Sequence, residues 1–220
     1  LRTTAEATGE ARPIALTTTR LRDQWHGASR SGLVAALAVD PPAVELAAAT
    51  AAGIGAGEGE LVRVETARGA LLLPVRLAES VAAGGAAIPM HFGTRWLPAS
   101  AGVNALTVRA FDPLSRQPEL KHAAARIERC ALPWHLATVG WLPSKRALEG
   151  VESLRALLAR VRYASVSSFV LRRPAEPGTR PLDRVPGLSQ GEAQADSFGV
   201  IVFVAHDERP PVDEPPQRRG

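Results

Sequence analysis

A chain of 220 residues, 45% hydrophobic and 22% charged, has room for one domain with a buried core plus a smaller appendage. Its net charge of +4 comes from scattered Arg rather than a basic run interleaved with aromatics, so nothing marks a nucleic-acid partner. One cysteine, Cys130, excludes an internal disulfide framework and a cysteine-ligated cluster held by this chain alone, and suits a reducing, cytoplasmic setting. No apolar run reaches the length of a bilayer span and no signal peptide is visible, so no membrane partner is expected. The chain opens on Leu1 rather than Met, and reads as part of something larger or as a processed end.

In chain order, PIALTTT (13–19) begins as an apolar strand and runs into the polar cluster TTTRLRDQWHGASRSG (17–32). SGLVAALAVDPP is a small turn-like piece stopped by two prolines. An Ala-rich helix is expected over about 46–53, ending on Gly53 and the glycine-rich turn GIGAGEG. ELVRVET (60–66) alternates with a period of two through Leu61 or Val62, Val64 and Thr66, and ALLLPVRLA returns after a tight turn as its partner strand. GGAAIPMHF and ELKHAAARIER (119–129) add further strands. Short strands with one short helix predict a mainly β protein built on a barrel with modest helical decoration.

The character changes near 131. SKRALEGVESLRALLARV (144–161) sets Leu148, Val151, Leu154, Leu157, Leu158 and Val161 on one helical face. YASVSSFVL and SFGVIVFVA (197–205) read as strands separated by a long Pro/Gly/Gln-rich loop, and DERPPVDEPPQRRG has too few apolar residues to build a core. The expected organisation is a barrel over 1–130, a small α+β extension over 131–207 and a disordered Pro-rich tail over 208–220.

The polar cluster sets donors and acceptors of many geometries just after a strand, as a site for a large polar cofactor requires. Arg20 and Arg22 offer planar forks for phosphate, Asp23 and Gln24 offer heterocycle-reading edges, Trp25 a stacking face, and His26 a donor or acceptor. Two further stretches share this polar, strand-flanked character: PMHFGTRWLPASAGVNALT (89–107) and DPLSRQPELKH (112–122).

Together the three stretches resemble the C-terminal dinucleotide-binding domain of the bacterial molybdopterin oxidoreductases. The resemblance is strongest to the assimilatory nitrate reductase branch (large catalytic subunit), beside periplasmic nitrate reductase and formate dehydrogenase. The family pattern T-G-R-x-x-x-x-W-H-T stands here as Thr18-Thr19-Arg20 through Trp25-His26-Gly27. Its histidine–aromatic pair is His91-Phe92, its N-x-L-T is Asn104 to Thr107, and its D-P-x-S-x-Q-P-E-x-K is Asp112 to Lys121. The match covers roughly residues 13–128.

The resemblance implies a double-psi-type barrel closing over a bis(molybdopterin guanine dinucleotide) cofactor against a larger catalytic body of the same enzyme, which reduces nitrate in nitrate assimilation. The cofactor-binding set it implies is Thr18, Thr19, Arg20, Arg22, Asp23, Gln24, Trp25, His26, Gly27, Ser29, His91, Asn104 and Lys121, with Trp96 beside the substrate channel. It places no catalytic residue and no metal ligand in this segment; the metal ligand and the iron–sulfur cluster belong elsewhere in the full enzyme. Thr19 departs from the family glycine and Gly27 from its threonine, which touches close backbone approach at one position and a hydroxyl at the other.

Plainer readings stand beside these. Trp25 also fits an aromatic plug over the barrel. His26, His91 and His122 follow no zinc spacing and read as satisfied loop histidines. Ser29 with His26 lacks a third partner, and GIGAGEG lacks the lysine and hydroxyl of a phosphate loop. A stand-alone, non-catalytic binding module with the same barrel remains the rival to a cofactor cradle within an enzyme.

Overall fold

The computed structural model describes residues 6–21, 42–142, 147–171 and 197–207. Six strands close a barrel: β1 (Ile14–Thr19), β2 (Val44–Leu46), β3 (Leu61–Glu65), β4 (Ala70–Leu77), β5 (Gly85–Pro89) and β6 (Ala123–Arg129). Helix α1 (Ala48–Gly53) follows β2, and a 3-10 turn occupies Val103–Leu106. Around the barrel the order is β1-β5-β2-β4-β3-β6. The pairs β1–β5 and β2–β4 are parallel; the other four are antiparallel. The fold is mainly β, with a closed mixed barrel, as the sequence predicts.

Period-two alternation is what fills the barrel. β1 turns Ile14, Leu16 and Thr18 inward, and β4 turns Leu71, Leu73 and Val75 inward. Val44, Leu46, Val62, Val64, Leu73 and Ile88 are fully buried in this core, each worth about 1.5–3 kcal/mol of transfer from water. Small side chains flank β1 on both sides, with Ala86 and Ala87 from β5 and Ala123, Ala124 and Ala125 from β6. Pro74 lies one position ahead of Val75, where β4 first meets β2, so a strand that reads as central tolerates a proline.

After the barrel, β7 (Trp134–Leu142), β9 (Ser197–His206) and β8 (Tyr163–Leu171) make an antiparallel sheet in that order. Helix α2 (Ala147–Leu158) lays Val151, Leu158 and half-buried Leu154 against Val166, Val200, Val202 and Val204 of that sheet. Leu157, expected on the same face, is instead 61% exposed. Its place in the 3.6-residue repeat puts it at the margin of the apolar stripe, where the sheet no longer covers it. Tyr163 and Ala205 join the barrel's core cluster, and the Val166 N–H donates to the Trp96 carbonyl at 3.0 Å.

Two strands depart from the sequence expectation. β2 falls at 44–46, just before the expected helix, and β7 stands where no element was predicted. The loop expected after β8 and the Pro-rich tail at 208–220 lie outside the described residues. Among those residues no helix is long and apolar enough to cross a membrane.

Candidate functional site

The parallel β1–β5 pair directs both chains out of the same barrel end, with Thr19 opposite Pro89. Pairing continues one step, as the Met90 N–H donates to the Thr19 carbonyl at 3.0 Å. Two loops thereby leave side by side, Arg20-Leu21 after β1 and His91-Phe92 after β5. His91 is buried, and its Nε2 accepts the Leu21 N–H at 3.2 Å, which puts the neutral ring's proton on Nδ1. It thereby ties the first loop to the second.

The segment entering β6 completes this end, because β6 runs antiparallel to β1. Thr18 is the last inward residue of β1 and is polar and buried; its hydroxyl donates to the Leu120 carbonyl at 2.6 Å. In return the Lys121 ammonium donates to the Thr18 carbonyl at 2.7 Å. Lys121 is exposed, and an ammonium carries three donors, so two remain for a ligand.

Asn104 arrives on the 3-10 turn. Gly102 enters that turn at φ 79° and the Val103 N–H donates to the Phe92 carbonyl at 2.9 Å, which docks the turn on the β5 loop. The Thr107 hydroxyl and N–H both donate to the Asn104 carbonyl, at 2.9 and 3.2 Å. The Asn104 side chain is exposed and, like that of Arg20, has no partner among the described residues. A guanidinium, an ammonium and an amide thus share one end of the barrel. That donor set suits a ligand with phosphates and a hydrogen-bonding edge.

The structure brings together Thr18, Thr19, Arg20, His91, Asn104 and Lys121 of the sequence-predicted set. Arg22, Asp23, Gln24, Trp25, His26, Gly27 and Ser29 lie outside the described residues. Trp96 is buried in the core, edge-on to Phe92 with ring centroids 6.1 Å apart, and its indole Nε1 has no partner among the described residues. Among those residues no cluster of three or more His, Cys, Asp or Glu is placed to hold a metal.

The string Asp112 to Lys121 proves to be a loop-forming sequence as well as a flank of the site. Asp112 Oδ1 accepts from the Leu114 and Ser115 N–H groups and the Ser115 hydroxyl, at 3.0, 2.7 and 3.0 Å. These bonds, the Ser115 N–H first, hold its carboxyl below the usual aspartate range. Arg116 takes a positive φ of 58° and sets its guanidinium over the Phe111 ring at 5.3 Å. The loop thereby holds Leu114 and Phe111 out in solvent.

The structure departs from the sequence reading at His122. Its Nε2 is buried without a partner among the described residues, whereas a satisfied loop histidine was expected. Nor did any local pattern point to the Arg68–Glu6 pair, which clamps the N-terminal segment to β6 through the Ala124 N–H.

Comparison with known proteins gives one domain family, described as "Molydopterin dinucleotide binding domain", which matches residues 14–124, half of the chain. A nitrate reductase from Klebsiella oxytoca is 35% identical over 124 residues, 56% of this chain and 14% of the relative. A periplasmic nitrate reductase from Desulfovibrio desulfuricans is 39% identical over 119 residues, 53% of this chain and 15% of the relative. An F420-dependent formate dehydrogenase subunit alpha from Methanocaldococcus jannaschii is 31% identical over 130 residues, 58% of this chain and 18% of the relative. The chain therefore spans less than a fifth of the length of these relatives.

Proposed function

Because this chain belongs to the molybdopterin dinucleotide binding domain family, we propose that it is the cofactor-binding part of a molybdenum oxidoreductase that reduces nitrate to nitrite in nitrate assimilation. The observation that supports this reading is the junction of Thr18, His91 and Lys121 at the carboxyl ends of two parallel strands, with Arg20 and Asn104 exposed beside it. In this reading Lys121 and Arg20 hold phosphates, the first as a point charge and the second as a planar fork. Asn104 reads a polar edge with an amide, and His91 keeps the loop after β1 at the depth the ligand requires. The guanine form of the dinucleotide, in a bis arrangement, is part of the proposal. When bound, the cofactor supplies the metal and the redox chemistry, while these residues bind, orient and shield it.

The metal ligand, the iron–sulfur cluster and the electron entry belong to a larger catalytic body, and the enzyme works in the cytoplasm. The low coverage of the named relatives supports such a body. Within it Arg22 to Gly27 and Ser29 contribute the rest of the cradle, and Trp96 flanks the substrate path. The barrel of 1–130 carries the binding role, and this segment contributes no catalytic group.

The test is made in the complete enzyme, with Lys121→Ala as the variant. Retained molybdenum, by elemental analysis, and released pterin, by fluorescence, should both fall. Normal content of both sinks the assignment. Activity with nitrate against formate decides the substrate. Formate oxidation is the second reading, favoured by the formate dehydrogenase relative. A polypeptide of only this chain's mass in the source cells, with no metal and no pterin, favours the stand-alone binding module instead.

A further inference from the structure

Beneath the cradle lies a small, partly enclosed cavity of about 10 Å3, walled by Thr18, Thr107, Leu120 and His122 together with apolar side chains such as Ile88 and Leu106. His122 Nε2 is fully shielded from solvent and has no partner among the described residues. A buried imidazole nitrogen without a partner is expensive to keep, and such atoms in folded proteins are met by protein or by water. The cavity is close to the smallest space that holds one water, and too small for any organic ligand.

Both threonines can complete the site. The Thr18 hydroxyl spends its proton on the Leu120 carbonyl, and the Thr107 hydroxyl spends its proton on the Asn104 carbonyl. Each oxygen keeps lone pairs, so each can accept but not donate to a third group. His122 Nε2 must then be the donor. A water accepting from Nε2–H and donating to the two threonine oxygens makes three hydrogen bonds, the usual number for a buried water.

We propose that His122 is a positioning residue of the cofactor cradle, acting through one buried water that links it to Thr18 and Thr107. Thr18 carries the carbonyl that anchors Lys121, and Thr107 closes the turn that presents Asn104. The water makes one hydrogen-bonded unit of the supports under both of those side chains. No Asp, Glu, Lys or Arg lines the cavity, so no charged side chain competes with the threonine oxygens and the imidazole for the water. The inference rests on the cradle reading above for its functional half and on the cavity alone for its structural half.

A high-resolution crystal structure of the full chain tests the structural half, with nitrogen-15 NMR of the imidazole for the tautomer. A water within hydrogen-bond reach of Nε2 and a proton on that nitrogen are expected. A dry cavity, a proton on Nδ1, or a ring turned so that carbon faces the space overturns the proposal. In the complete enzyme His122→Leu should lower retained molybdenum and pterin several-fold, with His122→Gln restoring part of it. Thr107→Val, which keeps shape but removes the acceptor, should give an intermediate loss if the leucine variant fails to fold. Normal retention in His122→Leu while Lys121→Ala loses cofactor overturns this proposal and leaves the cradle standing. Normal retention in both overturns the cradle itself.

Discussion

Lys121 reaches across 103 positions of sequence to donate its ammonium to the Thr18 carbonyl at 2.7 Å. The bond sits at the point where β6 begins to pair with β1, so the same side chain closes the barrel end and presents charge there. Stability and binding therefore separate in Lys121→Ala. The lysine is exposed, and water replaces its bond to Thr18, so unfolding free energy should drop by no more than about 1 kcal/mol. A denaturant titration reads the stability, and cofactor retention in the complete enzyme should fall far out of proportion to it. A loss of several kcal/mol would mean that Lys121 is structural and the binding effect indirect.

Gly102 supports Asn104 by a different means. It takes φ 79°, and a Cβ built there comes within 2.8 Å of the Gly93 Cα and 3.3 Å of the Phe92 carbonyl oxygen. Gly102→Ala therefore meets both an unfavourable dihedral and backbone that has no rotamer to yield. A loss of more than about 1 kcal/mol is expected from the strain alone. The relief is a shift of the 3-10 turn away from the β5 loop, breaking the Val103–Phe92 bond and displacing Asn104. Thermal unfolding together with cofactor retention measures it; a variant equal to wild type in both would show that the turn is free to move.

How far these features were legible in the sequence depends on range. Val62, Val64, Leu71, Leu73 and Val75 announce two inward faces because alternation is a local property of the strand. β2 was not legible: three residues cannot show a period, and Val44–Leu46 is a strand only because β4 and β5 flank it. β7 was hidden because, as an edge strand, it leaves residues 135–140 exposed on both faces, so no alternation of apolar and polar residues is imposed on it. At the site, residue types and order were readable through the family pattern. The partners were not, since the Thr18–Lys121, Leu21–His91 and Thr18–Leu120 bonds link positions 70 to 103 apart. The orphaned His122 nitrogen is likewise a property of the folded barrel rather than of any neighbouring residue.

Helix α2 gives a direct check on burial. Val151 is 3% exposed against the three-stranded sheet and Leu157 is 61% exposed, although the sequence repeat groups them together. Val151→Asp buries a carboxylate with no partner and should destabilise by several kcal/mol, on the order of the larger single-residue effects. Leu157→Asp should stay within about 0.5 kcal/mol of wild type, as surface changes do. Equal losses by chemical denaturation would show that α2 is rotated from the position described.

Glu6 offers a pH-resolved test of how the N-terminal segment is held. Its carboxylate accepts from Arg68 Nη1 and Nη2 at 3.2 and 2.8 Å and from the Ala124 N–H at 2.9 Å, while Arg68 Nε donates to the Leu106 carbonyl at 3.2 Å. The Arg68 hydrogen bond above all holds the carboxyl below its ordinary value, against a smaller opposing push from burial. A depressed folded-state pKa means that stability is gained above the unfolded value, near 4.5, and is lost as pH falls through the folded one. Both side chains are about one-fifth exposed, so the contribution is discounted to about 1 kcal/mol. Glu6→Gln should therefore be less stable than wild type by about that amount at pH 7, with the gap narrowing once the pH drops below the unfolded carboxyl range. The depressed carboxyls of Glu60 and Asp112 are present in both proteins and cancel in the difference. Urea titrations at neutral and acid pH read this directly, and a gap of the same size at both would mean that the Glu6 charge contributes nothing to holding the segment on β6.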